Sequence, residues 1–290
     1  MNLNARQIAA TLAILGAITV VFWQVFVRLL DAWIVDGNYS HGFLIIPIAL
    51  YFVWERREKL KAAPQQPSWM GLVVIAGGLA VLLAGLWGSE LFLSRIALLP
   101  VVAGIVLFVF GWAHLKILAF PIAFLFLMIP IPAIIFNHIA FPLQLQASRF
   151  GEWAIATAGI PVLREGNVLI LAHTTLEVAE ACSGIRSLVS LITLGIVYGY
   201  FMDSRAWVRI LIVLSAIPVA IIANGARVAG TGMAAHWIGP EAAEGFFHEF
   251  SGWIVFLFAF VMILVLQRII VKFAPAPKAP LTAASAAAEA

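Results

Sequence analysis

Apolar segments of roughly the same length recur along the whole chain. The hydrocarbon core of a bilayer is about 30 Å thick, and a helix needs about 20 apolar residues to cross it. Hydrophobic residues make up 63% of the chain and charged residues 11%, against about 45–50% and about 25% in soluble domains. The pattern predicts an all-α polytopic membrane protein with about eight transmembrane helices. The predicted spans are roughly Ile8–Val27, Gly42–Trp54, Trp69–Trp87, Leu93–Phe110, Ile117–Ile135, Ser183–Phe201, Val208–Val228 and Gly252–Val271.

The distribution of lysine and arginine sets the predicted orientation, because short cytoplasmic connections are enriched in both. With the N-terminus in the cytoplasm, eleven of the 17 basic residues lie inside, and six lie outside or at outer helix ends. The charged run Glu55–Lys61 anchors this assignment, and both termini are then cytoplasmic. We expect residues 1–273 to form a single multi-span membrane domain. Residues 274–290 are rich in proline and alanine, which predicts a disordered tail.

Two external connections are long enough to carry structure or function. Phe136–Ala181 joins the fifth and sixth segments and is predicted to be a small external segment. Within it, Val162–Leu176 alternates loosely around Gly166-Asn167, which predicts a small hairpin or an extended pair of strands. The second connection, Ala229–Glu249, contains several glycines and a proline and is expected to form the loop before the eighth segment.

Prolines also mark the fifth segment, at Pro130 and Pro132. A proline has no backbone N–H, so two of them should break or kink this helix near its outer end.

The composition also excludes several classes of site. The basic residues are dispersed, which argues against a nucleic-acid partner. The single cysteine excludes an intramolecular disulfide and a cysteine-rich metal site, and we expect neither a metal nor a cofactor.

The predicted topology brings three reactive side chains to one membrane face. Cys182 lies at the outer N-terminus of the sixth helix, Arg227 at the outer end of the seventh, and His248 just before the eighth. A helix N-terminus lowers the pKa of a thiol, and a histidine can take and return its proton. An arginine can stabilise an oxyanion or bind a carboxylate. Residues 177–252 are therefore predicted to hold a site for thiol-based acyl transfer.

Four other residues are candidates for substrate binding or for orienting the catalytic groups. Arg186 follows Cys182 by one helical turn, and Asn224 shares a helix face with Arg227. Glu177 and Glu180 precede the cysteine and could orient the histidine or pair with an arginine.

Plainer interpretations of the same residues remain open. A lone membrane cysteine is commonly a small apolar residue, and an interfacial arginine commonly extends its charge toward the headgroups. Gly225, Ala229 and Gly252 are most simply close-packing points between helices.

At these residues the chain resembles the exosortases of the exosortase/archaeosortase family. Members have an Ala-Cys-Ser-Gly-Ile element, an Asn-x-x-Arg element and a His-x-x-x-Gly element in this order. The chain matches them with Ala181–Ile185, Asn224–Arg227 and His248–Gly252. The resemblance covers roughly Tyr39–Val271. Other matching stretches are Tyr39–Leu44, Ile129–Pro132, Gly159–Val162 and Arg164–Asn167.

The resemblance implies a thiol transpeptidase or protease of the bacterial inner membrane, with its active site facing the periplasm. Such enzymes are thought to act on exported proteins that carry a C-terminal sorting signal, which consists of a Pro-Glu-Pro motif, a transmembrane helix and a basic cluster. By the same resemblance, Cys182 is the nucleophile, Arg227 stabilises the oxyanion or substrate, and His248 is the general acid and base. The acceptor is left open as water, an amine, a lipid or a polysaccharide precursor.

The glutamate of such a sorting motif would need a cation on the external side. Arg164, Arg186 and Arg227 are all predicted there, and we hypothesise that Arg164 or Arg186 binds this carboxylate. Two other classes of function remain as alternatives: a multi-span transporter or flippase component, since charged residues in membranes often mark substrate paths, and a scaffold subunit of an export or polysaccharide system without chemistry.

Overall fold

The structure is a computed structural model that describes residues 5–172, 174–178, 184–203, 205–239 and 245–273. It is mostly helical, and its contacts divide the chain into two compact units, Met1–Phe136 and Asn137–Ala290. The described residues contain four helices long and apolar enough to cross a membrane, or up to six if each of two bent helix pairs forms one span. A mostly helical multi-pass architecture is thus confirmed, whereas the count of eight spans stays a prediction.

The first unit is built from short helices joined by tight turns. Their bounds are α1 (Ala5–Val21), α2 (Trp23–Val35), α3 (Gly42–Glu55), α4 (Arg57–Ala62), α5 (Met70–Trp87), α6 (Leu91–Ile96), α7 (Leu98–Val109) and α8 (Trp112–Phe124), followed by a 3-10 helix (Leu125–Met128). The start of α9 (Ala133–Thr157) closes this unit. The bounds of α3 and α5 agree closely with the predicted second and third spans.

The first predicted span differs from the structure. The sequence predicts one helix over Ile8–Val27, but the chain breaks at Phe22, and Leu12–Val21 and Trp23–Val35 are bent by 70°. Neither proline nor glycine stands at the break. Instead, the Phe22 side chain is fully buried and packs against Phe26. The break thus coincides with a fully buried aromatic side chain, and hydropathy alone does not report it.

The two prolines end the helix where the sequence predicts. In a continuing α-helix, the carbonyl of Met128 would accept the backbone N–H of residue 132, but Pro132 has none. The indole of Trp33 on α2 supplies this missing donor, because its Nε1 donates to the Met128 carbonyl at 2.9 Å. The carbonyl is thus satisfied from a neighbouring helix, as an apolar environment requires.

Two further side chains complete this arrangement from the turn between α2 and α3. The backbone N–H of Ile131 donates to the Tyr39 hydroxyl at 3.1 Å instead of to Leu127. The Leu127 carbonyl in turn accepts a hydrogen bond from Nε2 of His41 at 3.1 Å. Trp33, Tyr39 and His41 therefore form a clamp around the helix break, and the matching stretches Tyr39–Leu44 and Ile129–Pro132 meet here.

The second unit combines a small sheet with long helices. Its elements are the body of α9, then β1 (Val162–Glu165), β2 (Val168–Leu171), β3 (Thr175–Glu177), α10 (Gly184–Met202), α11 (Ala206–Trp237) and α12 (Gly245–Phe273). The strands form an antiparallel sheet in the order β1-β2-β3. Glu165 pairs with Val168 across the Gly166-Asn167 turn, where Gly166 has a φ of 66° that favours glycine. The predicted hairpin is confirmed, and a third strand extends it.

The sheet packs its apolar side chains against two helices. Leu169 of β2 and Leu176 of β3 lie in one buried cluster with Ile155 of α9 and Val228 of α11. Alternate residues of β2 point into this cluster, as expected for a half-buried strand. The last described residue of the segment, Val178, is 1% exposed and belongs to the same cluster.

The end of α11 and the start of α12 differ from the prediction. The sequence predicts a loop from Ala229 to Glu249, but α11 has 32 residues and continues to Trp237. Gly232, interpreted above as a loop residue, instead lets the helix pass close to Ile155. Arg227 therefore lies within a helix rather than at its end. Because α12 begins at Gly245, His248 lies in its first turn rather than before it.

The clamp predicts a pH-dependent stability that can be assigned to His41. Burial lowers the pKa of His41 below its ordinary value, against the opposing effect of backbone hydrogen bonds at Leu127 and Asn38. The unfolded chain therefore binds more protons below about pH 6.5, and stability falls as the pH is lowered. We expect the melting temperature of the wild type in detergent to fall more steeply than that of His41→Gln between about pH 7.5 and about pH 5.5.

The substitution keeps an N–H donor for the Leu127 carbonyl while removing the titration. The exposed His138 offers a matched control, so His138→Gln should retain the wild-type pH profile. Parallel profiles for the wild type and His41→Gln would contradict the assignment.

Candidate functional site

The candidate site lies in the second unit, on a bundle of α10, α11 and α12. Small residues of α11, namely Ala216, Ala220 and Ala223, lie in the buried core of this bundle with Leu191 of α10 and Ile263 of α12. Small side chains let membrane helices approach closely, and this packing replaces the hydrophobic driving force that lipid does not provide. The bundle therefore holds α11 and α12 at a defined separation.

Helix α9 packs against the Asn-x-x-Arg element of α11. A β-carbon at Gly225 would lie 2.7 Å from the Phe150 ring, and one at Gly151 would lie 2.6 Å from Val228. Both glycines are thus needed for the observed approach of the two helices. These contacts fix the segment that carries Asn224, which is 5% exposed, and Arg227, which is partly buried.

Arg227 brings two of the predicted elements together. Its guanidinium lies against Gly252 of α12, because a β-carbon at Gly252 would be 3.6 Å from Nη2 and 3.7 Å from Cζ. Gly252 ends the His-x-x-x-Gly element, and His248 stands one helical turn before it in the same helix. The Asn-x-x-Arg and His-x-x-x-Gly elements therefore meet on neighbouring helices, although the side chain of His248 lies outside the described residues.

The cysteine lies in a segment outside the described residues. Both Cys182 and Glu180 fall within residues 179–183, and the chain is described again from Gly184, the first residue of α10. The backbone of Arg186 is described in the first turn of α10, but its side chain is not. On the other side of the segment, Val178 shares its buried cluster with Val228, the residue after Arg227. The strand that leads to Cys182 thus ends beside the helix that carries Arg227.

Arg164 already has an anionic partner in the structure. Its Nε donates to Oε2 of Glu152 on α9 at 2.7 Å, and Nη1 donates to the Gly166 carbonyl at 3.0 Å. The ion pair is partly exposed, with side-chain exposures of 24% and 37%. Arg164 therefore ties β1 to α9, and a second carboxylate would compete with Glu152 for it. Glu177 is exposed at the end of β3.

Helix α9 supplies site residues that the sequence analysis missed. Its polar and charged residues interrupt the apolar pattern, so a search for apolar spans does not detect it. The Phe136–Ala181 connection was therefore predicted without a helix. Its buried residues nevertheless recur at helical spacing. They are Ala140, Ala147, Ser148, Gly151 and Ile155. A search for small residues at this period could have found the helix. Among the described residues, no group of three or more His, Cys, Asp or Glu side chains could hold a metal ion.

The contact between Arg227 and Gly252 predicts a dependence on side-chain size. In Gly252→Ala the new methyl group would make an ordinary van der Waals contact with the guanidinium, and replacing a helix-interior glycine by alanine stabilises by about 0.5–1 kcal/mol. Gly252→Leu should force the guanidinium away, and overpacking of this kind costs about 1–3 kcal/mol. Thermal unfolding of the purified variants in detergent measures both effects.

Gly230 on α11 is the matched control, because a β-carbon there would meet nothing within 4 Å. Gly230→Leu should be tolerated. If Arg227 is the group displaced, Arg227→Ala should relieve the cost of Gly252→Leu in the double variant. Additive costs would show that the leucine clashes with something else.

A comparison with known protein families gives a match that covers the sequence elements that meet in this bundle. The chain matches the family described as transmembrane exosortase (Exosortase_EpsH) over residues 33–265, which is most of its length. The matched region includes the Ala181–Ile185, Asn224–Arg227 and His248–Gly252 elements. No curated protein and no solved structure matches the chain. The chain belongs to the transmembrane exosortase family, and this membership supports a membrane transpeptidase-like function.

Proposed function

We propose that this protein is a cysteine transpeptidase or peptidase that cleaves C-terminal Pro-Glu-Pro sorting signals of membrane-anchored exported proteins. The proposed location is the bacterial inner membrane, with the site facing the periplasm. The observation that carries the proposal is the contact between the Arg227 guanidinium and Gly252. It joins the Asn-x-x-Arg element to the helix turn that holds His248, and the family match covers both.

In the proposed reaction, the Cys182 thiolate attacks the carbonyl carbon of the scissile peptide bond. The tetrahedral oxyanion is stabilised by the Arg227 guanidinium. The C–N bond then breaks, His248 donates a proton to the leaving amine, and a thioester links the substrate to Cys182. Water or an acceptor amine attacks the thioester, His248 takes the proton of that nucleophile, and the Cys182 sulfur leaves. The acceptor is water, an amine, a lipid or a polysaccharide precursor.

The remaining candidate residues bind the substrate or position the catalytic groups. Arg186 lies one helical turn after Cys182 and binds the glutamate of the sorting motif. Arg164 could provide a second cation, but a substrate carboxylate must then displace Glu152 from its 2.7 Å contact. Asn224 is buried one turn before Arg227 and positions this part of α11. Glu180 orients His248 or pairs with an arginine.

A membrane-anchored reporter with a Pro-Glu-Pro sorting signal tests the catalytic roles. Co-expression with the wild type should shorten the reporter on a gel, and trapping should reveal a thioester adduct. Cys182→Ala and His248→Ala should lower the rate at least about 10³-fold. Arg227→Ala should lower it about 10²–10³-fold if it acts as a single oxyanion donor. Arg149→Ala is a matched control, because Arg149 is exposed on α9 and predicted on the same side.

Equal processing by Cys182→Ala, at equal expression, would remove the nucleophile from the proposal. The alternatives would then be a transporter or a scaffold, both of which should tolerate Cys182→Ser as well. A rate unchanged in Arg227→Ala would contradict the role of the contact with Gly252, even if the cysteine proved essential.

The proposed carboxylate recognition has a separate test in the same assay. Changing the glutamate of the reporter motif to glutamine should lower processing, and Arg186→Gln should lower it by a similar factor. If the two groups pair, combining both changes should cost little more than either one. Arg164→Gln should have a smaller effect because Glu152 already occupies Arg164. Full additivity of the reporter change with both arginine substitutions would exclude either residue as the partner of the motif glutamate.

A further inference from the structure

Strand β3 forms one edge of the small sheet and leads directly to the cysteine segment. The strand order is β1-β2-β3, so β3 has a neighbouring strand on one side only among the described residues. Cys182 follows Val178 by four residues, which span at most about 14 Å of extended chain. On its buried face β3 packs against α11, since a β-carbon at Gly232 would lie 3.4 Å from Cδ1 of Leu176. The edge is therefore held by the helix that carries Arg227.

The hydrogen bonds between β2 and β3 show which backbone groups point toward the free edge. The N–H of Val178 donates to the carbonyl of Asn167, and the N–H of Leu171 donates to the carbonyl of Thr174, both at 2.9 Å. In an antiparallel pair, hydrogen-bonded positions alternate with positions whose N–H and C=O point to the opposite side. Two residues of β3 therefore direct both backbone groups away from β2, namely Thr175 and Glu177.

These outward groups are available to a further strand. The two N–H donors and two C=O acceptors have no hydrogen-bond partner among the residues that the structure describes. Thr175 and Glu177 are also both exposed. An unpaired strand edge is a template for pairing with another chain, and several classes of peptide-binding domain bind an extended ligand in this way.

We propose that the Pro-Glu-Pro segment of the sorting signal binds as an extended strand antiparallel to β3, an inference that rests on the proposed function. Proline has no N–H to donate, so it fits a paired strand only where its nitrogen faces away from the partner. The two prolines of the motif are separated by one residue, so they share one side of an extended strand. The glutamate between them then directs its N–H and C=O to the other side. Such a motif can pair with a strand edge on one side only.

The charges of the edge select the register of this pairing. Residues directly opposite each other in an antiparallel pair place their side chains on the same face, where like charges are destabilising. Opposite Glu177, the motif glutamate would meet a second carboxylate, whereas opposite Thr175 it meets a hydroxyl. The motif glutamate therefore pairs with Thr175. The Thr175 N–H donates to the glutamate carbonyl, and the glutamate N–H donates to the Thr175 carbonyl.

Cleavage of a synthetic transmembrane peptide that carries the Pro-Glu-Pro signal, by the full chain in proteoliposomes, tests this pairing. Thr175→Pro removes the outward N–H and leaves the bonds to β2, and an edge strand tolerates proline. We expect kcat/KM to fall about twofold to tenfold, which corresponds to the loss of one hydrogen bond. Thr175→Val keeps the N–H and should match the wild type. Val162→Pro is a control at the opposite edge, where the Val162 N–H points away from β2. Thermal unfolding verifies that each variant is folded.

Methylation of the peptide backbone tests the same hydrogen bonds without changing the protein. N-methylation of the motif glutamate removes its N–H, places a methyl group against β3 and keeps the carboxylate. This change should lower kcat/KM about tenfold or more. N-methylation three residues before the glutamate is the matched control, because that N–H points away from β3 by alternation. If the glutamate pairs with Thr175, Thr175→Pro should cost little more with the glutamate-methylated peptide.

The outcomes separate this inference from the proposed function. If the wild type cleaves both methylated peptides equally well, or if Thr175→Pro and glutamate methylation are fully additive, the edge pairing is wrong while the proposed function stands. Failure of the wild type to cleave any peptide would overturn the proposed function and this inference with it. If Thr175→Pro leaves cleavage unchanged but dissociates a dimer in native mass spectrometry, the edge pairs two copies of the chain instead. If Thr175→Pro does not fold, the two methylated peptides decide the question.

Discussion

Close packing of helices through glycine and alanine is the interaction on which the candidate site depends. Lipid tails are as apolar as leucine, so membrane helices gain little from burying apolar surface against one another. Helix α11 instead passes close to its neighbours at Gly225 and Gly232, and α9 does so at Gly151. On α12, Gly252 leaves the space that the Arg227 guanidinium occupies. The same type of contact thus holds the helices together and positions the cation.

Satisfaction of the backbone is the second constraint, and it explains the shape of the first unit. Where Pro130 and Pro132 interrupt the hydrogen-bond ladder, the freed groups need other partners because lipid offers none. Trp33, Tyr39 and His41 provide those partners, each for a different backbone group. A helix break that appears destabilising in the sequence is therefore a point of attachment for α2 and for the turn that follows it.

The arginines of this protein fall into groups with different physical situations. Arg164 and Arg205 each contact a carboxylate, and both lie outside the predicted apolar spans. Arg227, in the interior of the long helix α11, lies against Gly252 of α12. Arg95 is buried near Arg28, and its Nε has no hydrogen-bond partner among the residues that the structure describes. Counting charges by membrane side treats all of them alike, whereas their surroundings separate those that hold the fold together from the one assigned to the proposed chemistry.

Local sequence properties predicted the class of protein, the bounds of α3 and α5, the break at Pro130 and Pro132, and the hairpin around Gly166. These features depend on local properties: apolar length, the missing N–H of proline, and alternation along a strand. The family elements were also readable in order. The break at Phe22 and the continuation of α11 past Arg227 to Trp237 became visible only in the folded structure, and α9 was hidden from a search for apolar spans by its polar residues. The continuation of α11 places Gly232 against Ile155 of α9, a contact between segments that are distant in the sequence. A one-dimensional pattern carries no record of such contacts, and the meeting of Arg227 with Gly252 is another of them.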